Sequence, residues 1–226
     1  LQDDTDYIIH CEIPNTRTVT FTAKTADGSP IEGNSVSAKR VGGGDILNGS
    51  SQPQSIQIEF TASAQEGWRV KQWNSGGKKI LGEDALSYIL TVDKSVNIEV
   101  IFEKKPKIFI NGSEGGATSA DCGGEGVSSG SFVEFGSDVT FTFIPESGYI
   151  LEKVTENGTD ITSNLTDVSN APDSKYYTKA DINADVTLEV TYKAKPRIFA
   201  AQNEGGALEM KAVSDYERKD IANGGY

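Results

Sequence analysis

The feature that most constrains this chain is a β-pattern written twice. Residues 67–102 read GWRVKQWNSGGKKILGEDALSYILTVDKSVNIEVIF, and residues 148–192 read GYILEKVTENGTDITSNLTDVSNAPDSKYYTKADINADVTLEVTY. Each stretch opens on a glycine-aromatic step and passes through a glycine-bearing turn. Each ends in a strand with apolar residues at every other position, the first using Val96, Ile98, Val100 and Phe102. A period of two is the signature of a strand with one buried face.

Subtraction tests the repeat. Phe60, Gly67 and Trp68 stand 81 positions before Phe141, Gly148 and Tyr149. Val96, Phe102, Pro106, Ile108 and Gly115 stand 90 before Val186, Tyr192, Pro196, Ile198 and Gly205. The second unit therefore carries nine extra residues, placed between Val154 and Val186. A polar loop absorbs such an insertion cheaply, because closure entropy grows only with the logarithm of length. From residue 197, RIF-x4-EGG repeats the KIF-x4-EGG of residues 107–116, so a third copy begins and stops at Tyr226. The organisation read from this is residues 1–16 as an extension with one strand, 17–105 as the first repeat, 106–195 as the second, and 196–226 as the incomplete start of a third.

In order, the alternation predicts strands at residues 7–13, 17–24, 35–41, 55–62, 69–73, 86–92 and 96–102. The last two read as a hairpin turning at Asp93-Lys94-Ser95. Residues 42–54 read as a flexible loop. In the second unit, strands are predicted at 107–110, 132–135, 139–144, 175–180 and 186–192. Residues 112–130 hold seven glycines and little apolar mass, so they read as a long loop, and residues 164–174 as a polar one. A Ser-x-x-Glu capping box at Ser214 predicts one short helix in the tail. No long stretch has a 3.6-residue apolar period. The fold class is all-β: tandem small β-domains, β-grasp-like or small sandwich, two full repeats plus the start of a third.

The segments GWRVKQW with VNIEVIF, and GYILEKV with VTLEVTY, resemble the divergent internalin B repeat family. Val154 stands where the pattern has a second Trp, and Tyr192 where it has the final Phe. The resemblance implies small β-modules, in tandem on bacterial surface and secreted proteins, serving as spacers, adhesive modules or accessory binding modules. It implies no catalytic residues. The localisation that follows is secreted or cell surface, with lipid anchoring through a missing N-terminus left open, since an abrupt start without Met reads as a piece of a longer exported protein.

Chemistry is sparse. The single histidine, His10, lies in an alternating segment and reads as an ordinary strand residue, so a Ser-His-Asp relay has no basis, nor has a His-rich metal site. Cys11 and Cys122 lie in different units without Cys-x-x-Cys spacing and read as free thiols. The N-terminal acids Asp3, Asp4 and Asp6 lack the rest of a calcium loop. Net charge of −12 opposes a phosphate backbone, so no nucleic-acid partner is expected. No apolar run of about 20 residues predicts a membrane span. Neither catalytic residues, metal nor cofactor are expected. Glu99 and Glu189 alternate with apolar neighbours and read as solvent-facing. Among the aromatics, Trp68 and Tyr149 follow the repeated glycine and read as core. Tyr176 and Tyr177, adjacent in a strand, must face opposite ways, so one is exposed. They are the candidate ligand-binding residues.

The functional expectation is a non-enzymatic surface or secreted module acting as a stalk, adhesive or accessory binding segment, monomeric in isolation, with a host or cell-surface protein or glycan as partner. The alternative is a carbohydrate-binding module of a polysaccharide-handling system. The joint at residues 103–107 spans at most roughly 20 Å at about 3.3–3.6 Å per residue, and its proline stiffens it, which suits a stalk.

Overall fold

The computed structural model describes residues 15–29, 31–171 and 173–196. The predicted strand at 7–13, His10, Cys11, the third copy and its short helix lie outside the described residues. The chain divides between Lys105 and Pro106 into two units.

Unit one contains β1 (Thr16–Thr25), β2 (Ser35–Arg40), β3 (Ser50–Pro53), β4 (Gln57–Ser63), β5 (Trp68–Ser75), β6 (Lys78–Leu81), β7 (Ser87–Thr91) and β8 (Val96–Lys104). They form a five-stranded sheet in the order β3-β1-β8-β5-β6 and a three-stranded sheet in the order β2-β4-β7. The inward residues of both make one core. Val19 and Phe21 come from β1, Ile58 and Phe60 from β4, Trp73 from β5, and Ile98, Val100 and Phe102 from β8. Phe21 meets Phe60 edge-on across the two layers, ring centroids 5.8 Å apart. This is a small β-sandwich, held by the interdigitation of two apolar faces.

Unit two contains β9 (Ile108–Gly112), β10 (Gly116–Cys122), β11 (Glu125–Gly126), β12 (Ser137–Pro145), β13 (Tyr149–Glu156), β14 (Thr159–Asp160), β15 (Thr166–Asp167), β16 (Lys175–Ile182) and β17 (Val186–Ala194), with a 3-10 turn at Thr162–Asn164. Its sheets run β14-β13-β17-β9 and β11-β10-β12-β16-β15. Placed beside unit one, β9, β13, β14 and β17 take the places of β1, β5, β6 and β8. Strands β10, β12 and β16 take those of β2, β4 and β7. The strand order is the same twice, and the registers agree: Ala38 faces Phe60 as Ala120 faces Phe141, and Val19 faces Val96 as Ile108 faces Val186.

The motif glycines now have a reason. Gly67 and Gly148 both adopt positive φ, +77° and +85°, a conformation costly for any residue with a Cβ. Each carbonyl then accepts a hydrogen bond from the end of the unit's last strand, Lys105 N–H at 2.9 Å and Lys195 N–H at 2.7 Å. Gly115, which also adopts positive φ (+99°), and Gly116 serve close packing. A Cβ at Gly115 would lie 2.2 Å from the Tyr149 ring, and one at Gly116 would lie 2.4 Å from the Tyr192 ring.

Four expectations are corrected. Strands β7 and β8 are not a hairpin: β7 pairs with β4, whereas β8 pairs with β1 and β5. Both sides of β8 are occupied, so the chain crosses from one layer to the other at Asp93-Lys94-Ser95. Residues 112–130 are not a loop, since β10 and β11 lie within them; two of their glycines, Gly115 and Gly116, leave room for aromatic rings. Residues 132–135 form no strand, only a single bridge from Phe132 to Lys107. Residues 42–54 include β3, an edge strand on β1 whose polar SSQP carries no alternation to read.

Trp73 is fully buried and donates its indole N–H to the Ala85 carbonyl at 2.6 Å. Truncating such a side chain removes its transfer free energy and leaves a cavity. The variant Trp73→Ala is expected to destabilise unit one by about 3–5 kcal/mol, read as a lowered denaturation midpoint for a unit-one probe, with probes in unit two unmoved.

Candidate functional site

The aromatic residues sort by strand parity. In β16, Lys175, Tyr177 and Lys179 alternate with the exposed Tyr176, Thr178 and Ala180. Tyr177 turns toward the core, where its ring stacks on Phe141 with centroids 6.5 Å apart. Its hydroxyl donates to Glu156 at 2.6 Å, and Glu156 also pairs with Lys179 at 2.7 Å. Burial, and then the Glu156 carboxylate, push the Tyr177 phenol up to about 12. Because Tyr177 faces Phe141 in the register as Tyr88 faces Phe60, the two tyrosines are repeat equivalents. This tie joins the two layers of unit two through β13 and β16.

Tyr176 faces outward and is 37% exposed. Across the sheet, Ser119, Thr142, Tyr176 and Thr166 stand in one row. A second row runs Asp121, Thr140, Thr178, and the two threonine hydroxyls lie 2.9 Å apart. Ile144, 48% exposed, faces the same way from β12. The result is a platform on a single sheet: one aromatic ring and one branched apolar side chain among short hydroxyls. An aromatic face of this kind stacks on an apolar ring face, and the hydroxyls supply hydrogen bonds around it. The structure thus separates the two candidate residues, leaving Tyr176 on the surface and using Tyr177 as packing.

The other aromatics fall where the repeat requires. Trp68 and Tyr149 are partly buried at the margins of their cores, and the Lys104 ammonium lies 5.5 Å above the Trp68 ring. Tyr192 takes the place of Phe102, and its added hydroxyl donates to the Ala117 carbonyl at 2.8 Å. Burial raises its phenol above the ordinary value.

In unit one the outer face of the five-stranded sheet is a lattice of charges. Lys24 pairs with Glu99 at 2.7 Å, and Glu103 accepts from both Arg69 and Lys71 at 2.8 Å. Burial alone would raise Glu103, but the bonds from Lys71 and Arg69 outweigh it and lower its pKa. A shallow open recess here is lined by Lys24, Asp27, Lys71, Gln72, Asn74 and Ile101. Lys24 and Lys71 are paired across strands and Asp27 is bonded within its own turn, so the recess offers no converging acid, base or nucleophile. Among the described residues there is no group of three or more His, Cys, Asp or Glu able to hold a metal. Cys122 is a free, half-buried thiol. Among the described residues, no helix is long and apolar enough to cross a membrane.

A model of the divergent InlB B-repeat domain matches residues 34–106 and 110–196, and the chain belongs to that family. The first match omits β1 and the second begins inside β9. The crystal structure of the pilus adhesin SpaC from Lactobacillus rhamnosus GG, in its open conformation, is 10% identical over 81% of this chain and 32% of its own, with a TM-score of 0.28. A C-terminal fragment of the same adhesin is 9% identical over 82% of this chain and 100% of its own, with a TM-score of 0.26. The chain spans about a third of the larger adhesin chain, and at these scores the likeness carries no argument. No curated protein matches the chain.

The Tyr177 phenol binds its proton more tightly folded than unfolded. Its contribution to stability is therefore complete below about pH 10 and is lost as pH rises toward 12. A spectrophotometric titration of phenolate absorbance should show late-titrating tyrosines, of which one disappears in Tyr177→Phe while the raised Tyr192 phenol remains. In Glu156→Gln the Tyr177 phenol should ionise at lower pH, because a neighbouring anion opposes its charging.

Proposed function

We propose that this chain is a non-enzymatic binding and spacer module of a secreted or surface-displayed bacterial protein. The observation that carries this reading is the same two-layer sandwich built twice with the same strand order. Each unit's polar groups are spent on cross-strand ties rather than gathered into a cleft. Membership of the InlB B-repeat family supports an extracellular, tandemly repeated role. Substrate turnover would need converging groups of perturbed acidity. Among the described residues the strongly shifted groups are one phenol tied to a carboxylate and Asp27, which bonds to the Thr25 hydroxyl and the Ser29 N–H of its own turn and is held at about 2.

A second reading is favoured by one observation, the platform around Tyr176. Its ring is exposed on a flat sheet face and bordered by Thr142, Thr166 and Ile144, which suits the apolar face of a sugar ring. On this reading the module holds glycans of a cell surface or polysaccharide.

A glycan array probed with the labelled full chain tests both. The carbohydrate reading expects saturable binding that falls at least tenfold in Tyr176→Ala. The Tyr176 side chain lies outside the core, so thermal unfolding of the variant should shift little. Binding that survives Tyr176→Ala, or no binding to any glycan, removes the platform as a sugar site. Hydrolysis of an arrayed glycan would overturn the non-enzymatic reading.

A further inference from the structure

The two sandwiches share their central strands and differ at sheet edges: β3 flanks β1 in unit one, β11 flanks β10 in unit two, and a further difference lies beside β7 and β16. Unit two places β15 beside β16, pairing Thr166 with Tyr176 and Asp167 with Lys175. The equivalent strand in unit one, β7, pairs with β4 and with no other strand among the described residues. The numbering shows where the difference arises. Gly77 and Gly158 are 81 apart, whereas Tyr88 and Tyr177 are 89 apart, so eight of the nine extra residues lie in the segment that forms β15. The insertion builds a covering strand that unit one lacks.

The uncovered edge is well defined. The Ala62 N–H bonds to the Leu86 carbonyl and the Val92 N–H to the Ile56 carbonyl, both at 2.9 Å. In an antiparallel ladder such bonds alternate, so residues 86, 88, 90 and 92 spend their backbone groups on β4. The N–H and C=O groups of Ser87, Ile89 and Thr91 then point away from it. Edge strands are ordinarily guarded by charge, proline or a bulge. The sequence of β7, SYILT, has no charge and no proline, and its ladder with β4 runs without a register shift. Leu86 and Ile89 beside it are 58% and 52% exposed.

We propose that β7 is a strand-addition site, which takes an extended, uncharged peptide segment of a partner protein in antiparallel register. This deepens the binding-module reading and rests on it. Unit two supplies the precedent for the pairing mode, because there the same edge is filled by a short antiparallel segment of its own chain, Thr166–Asp167; the lack of charge in β7 is what selects an uncharged occupant here. Size argues against a second copy: a stable self-dimer buries about 1,200–2,000 Å², more than a five-residue edge offers on its own. Single peptide strands are held on such edges by main-chain hydrogen bonds, with alternate side chains setting specificity. Ile89, exposed between Ser87 and Thr91, favours an apolar residue opposite it on the incoming strand.

The probe is a capped SYILTV peptide with a solubilising lysine tail, added to the full chain. In the free protein the amides of Ser87, Ile89 and Thr91 should exchange rapidly with solvent, while those of Tyr88 and Leu90 are protected. Saturating peptide should slow the three edge amides at least tenfold. Ile89→Pro, which removes one outward donor and no bond to β4, should weaken binding at least tenfold. Independently of any change to the protein, N-methylation of the peptide's isoleucine should abolish binding, and N-methylation of its leucine should not. The proposal is overturned if the peptide does not bind, if both N-methylated peptides bind equally, or if the edge amides are already protected in the monomer. It is also overturned if they become protected only as the chain dimerises. The parent reading fails separately: a chain that captures peptide but shows no attachment to any cell surface or glycan loses its surface-binding role and keeps the edge site. A chain that attaches to cells equally well as Ile89→Pro, with no peptide capture, keeps the role and loses the edge site.

Discussion

Each sandwich depends on the parallel pairing of its first strand with its last. β1 lies along β8 over seven register pairs, from Val19–Val96 to Thr25–Phe102, and β9 lies along β17 from Ile108–Val186 to Gly112–Val190. Parallel neighbours cannot be joined by a tight turn, so the chain between them must leave the sheet and return. In both units it does so by laying part of the second layer before the Gly-aromatic strand and the rest after it. The last strand is consequently central, bonded on both sides, and carries apolar residues at every other position. Ile98, Val100 and Phe102, and Leu188, Val190 and Tyr192, are all buried.

That centrality explains what was legible in the sequence. A strand fixed on both sides with one face in the core has to alternate, and residues 96–102 and 186–192 announce themselves. The glycine before each aromatic was visible as a repeat, and its positive φ supplies the cause. Strands at the margins were not visible. β3, β6, β11 and β15 bury little, so nothing selects a period in them; SSQP and a lone Thr-Asp pair cannot be told from loop. Glycine content misled at residues 112–130, where Gly115 and Gly116 make space for Tyr149 and Tyr192. The supposed hairpin at 93–95 failed for a further reason. A three-residue turn between two strands looks alike whether the strands bond to each other or to opposite layers.

The candidate surface was half legible. Parity required Tyr176 and Tyr177 to part company, and they do. Which one faces solvent depended on a partner 21 residues earlier, Glu156, and on matching Tyr177 to Tyr88. The eight-residue offset hid that match until the register of both sheets was known. Once it is seen, Tyr176 corresponds to Ser87. The second unit has an aromatic ring and an extra strand at the edge where the first has a small hydroxyl and an open backbone. One scaffold thus presents two different surfaces.

The parallel ladder has a mechanical consequence. In each unit the chain enters at the start of the first strand and leaves at the far end of the last, and the two strands point the same way. Tension along the polypeptide therefore drags these neighbours past one another lengthwise. The bonds of the ladder must break together rather than one after another, as they would if the strands were peeled apart like a zipper. For a module strung in series within a longer polypeptide, that geometry puts the greatest resistance to extension where the load enters and leaves.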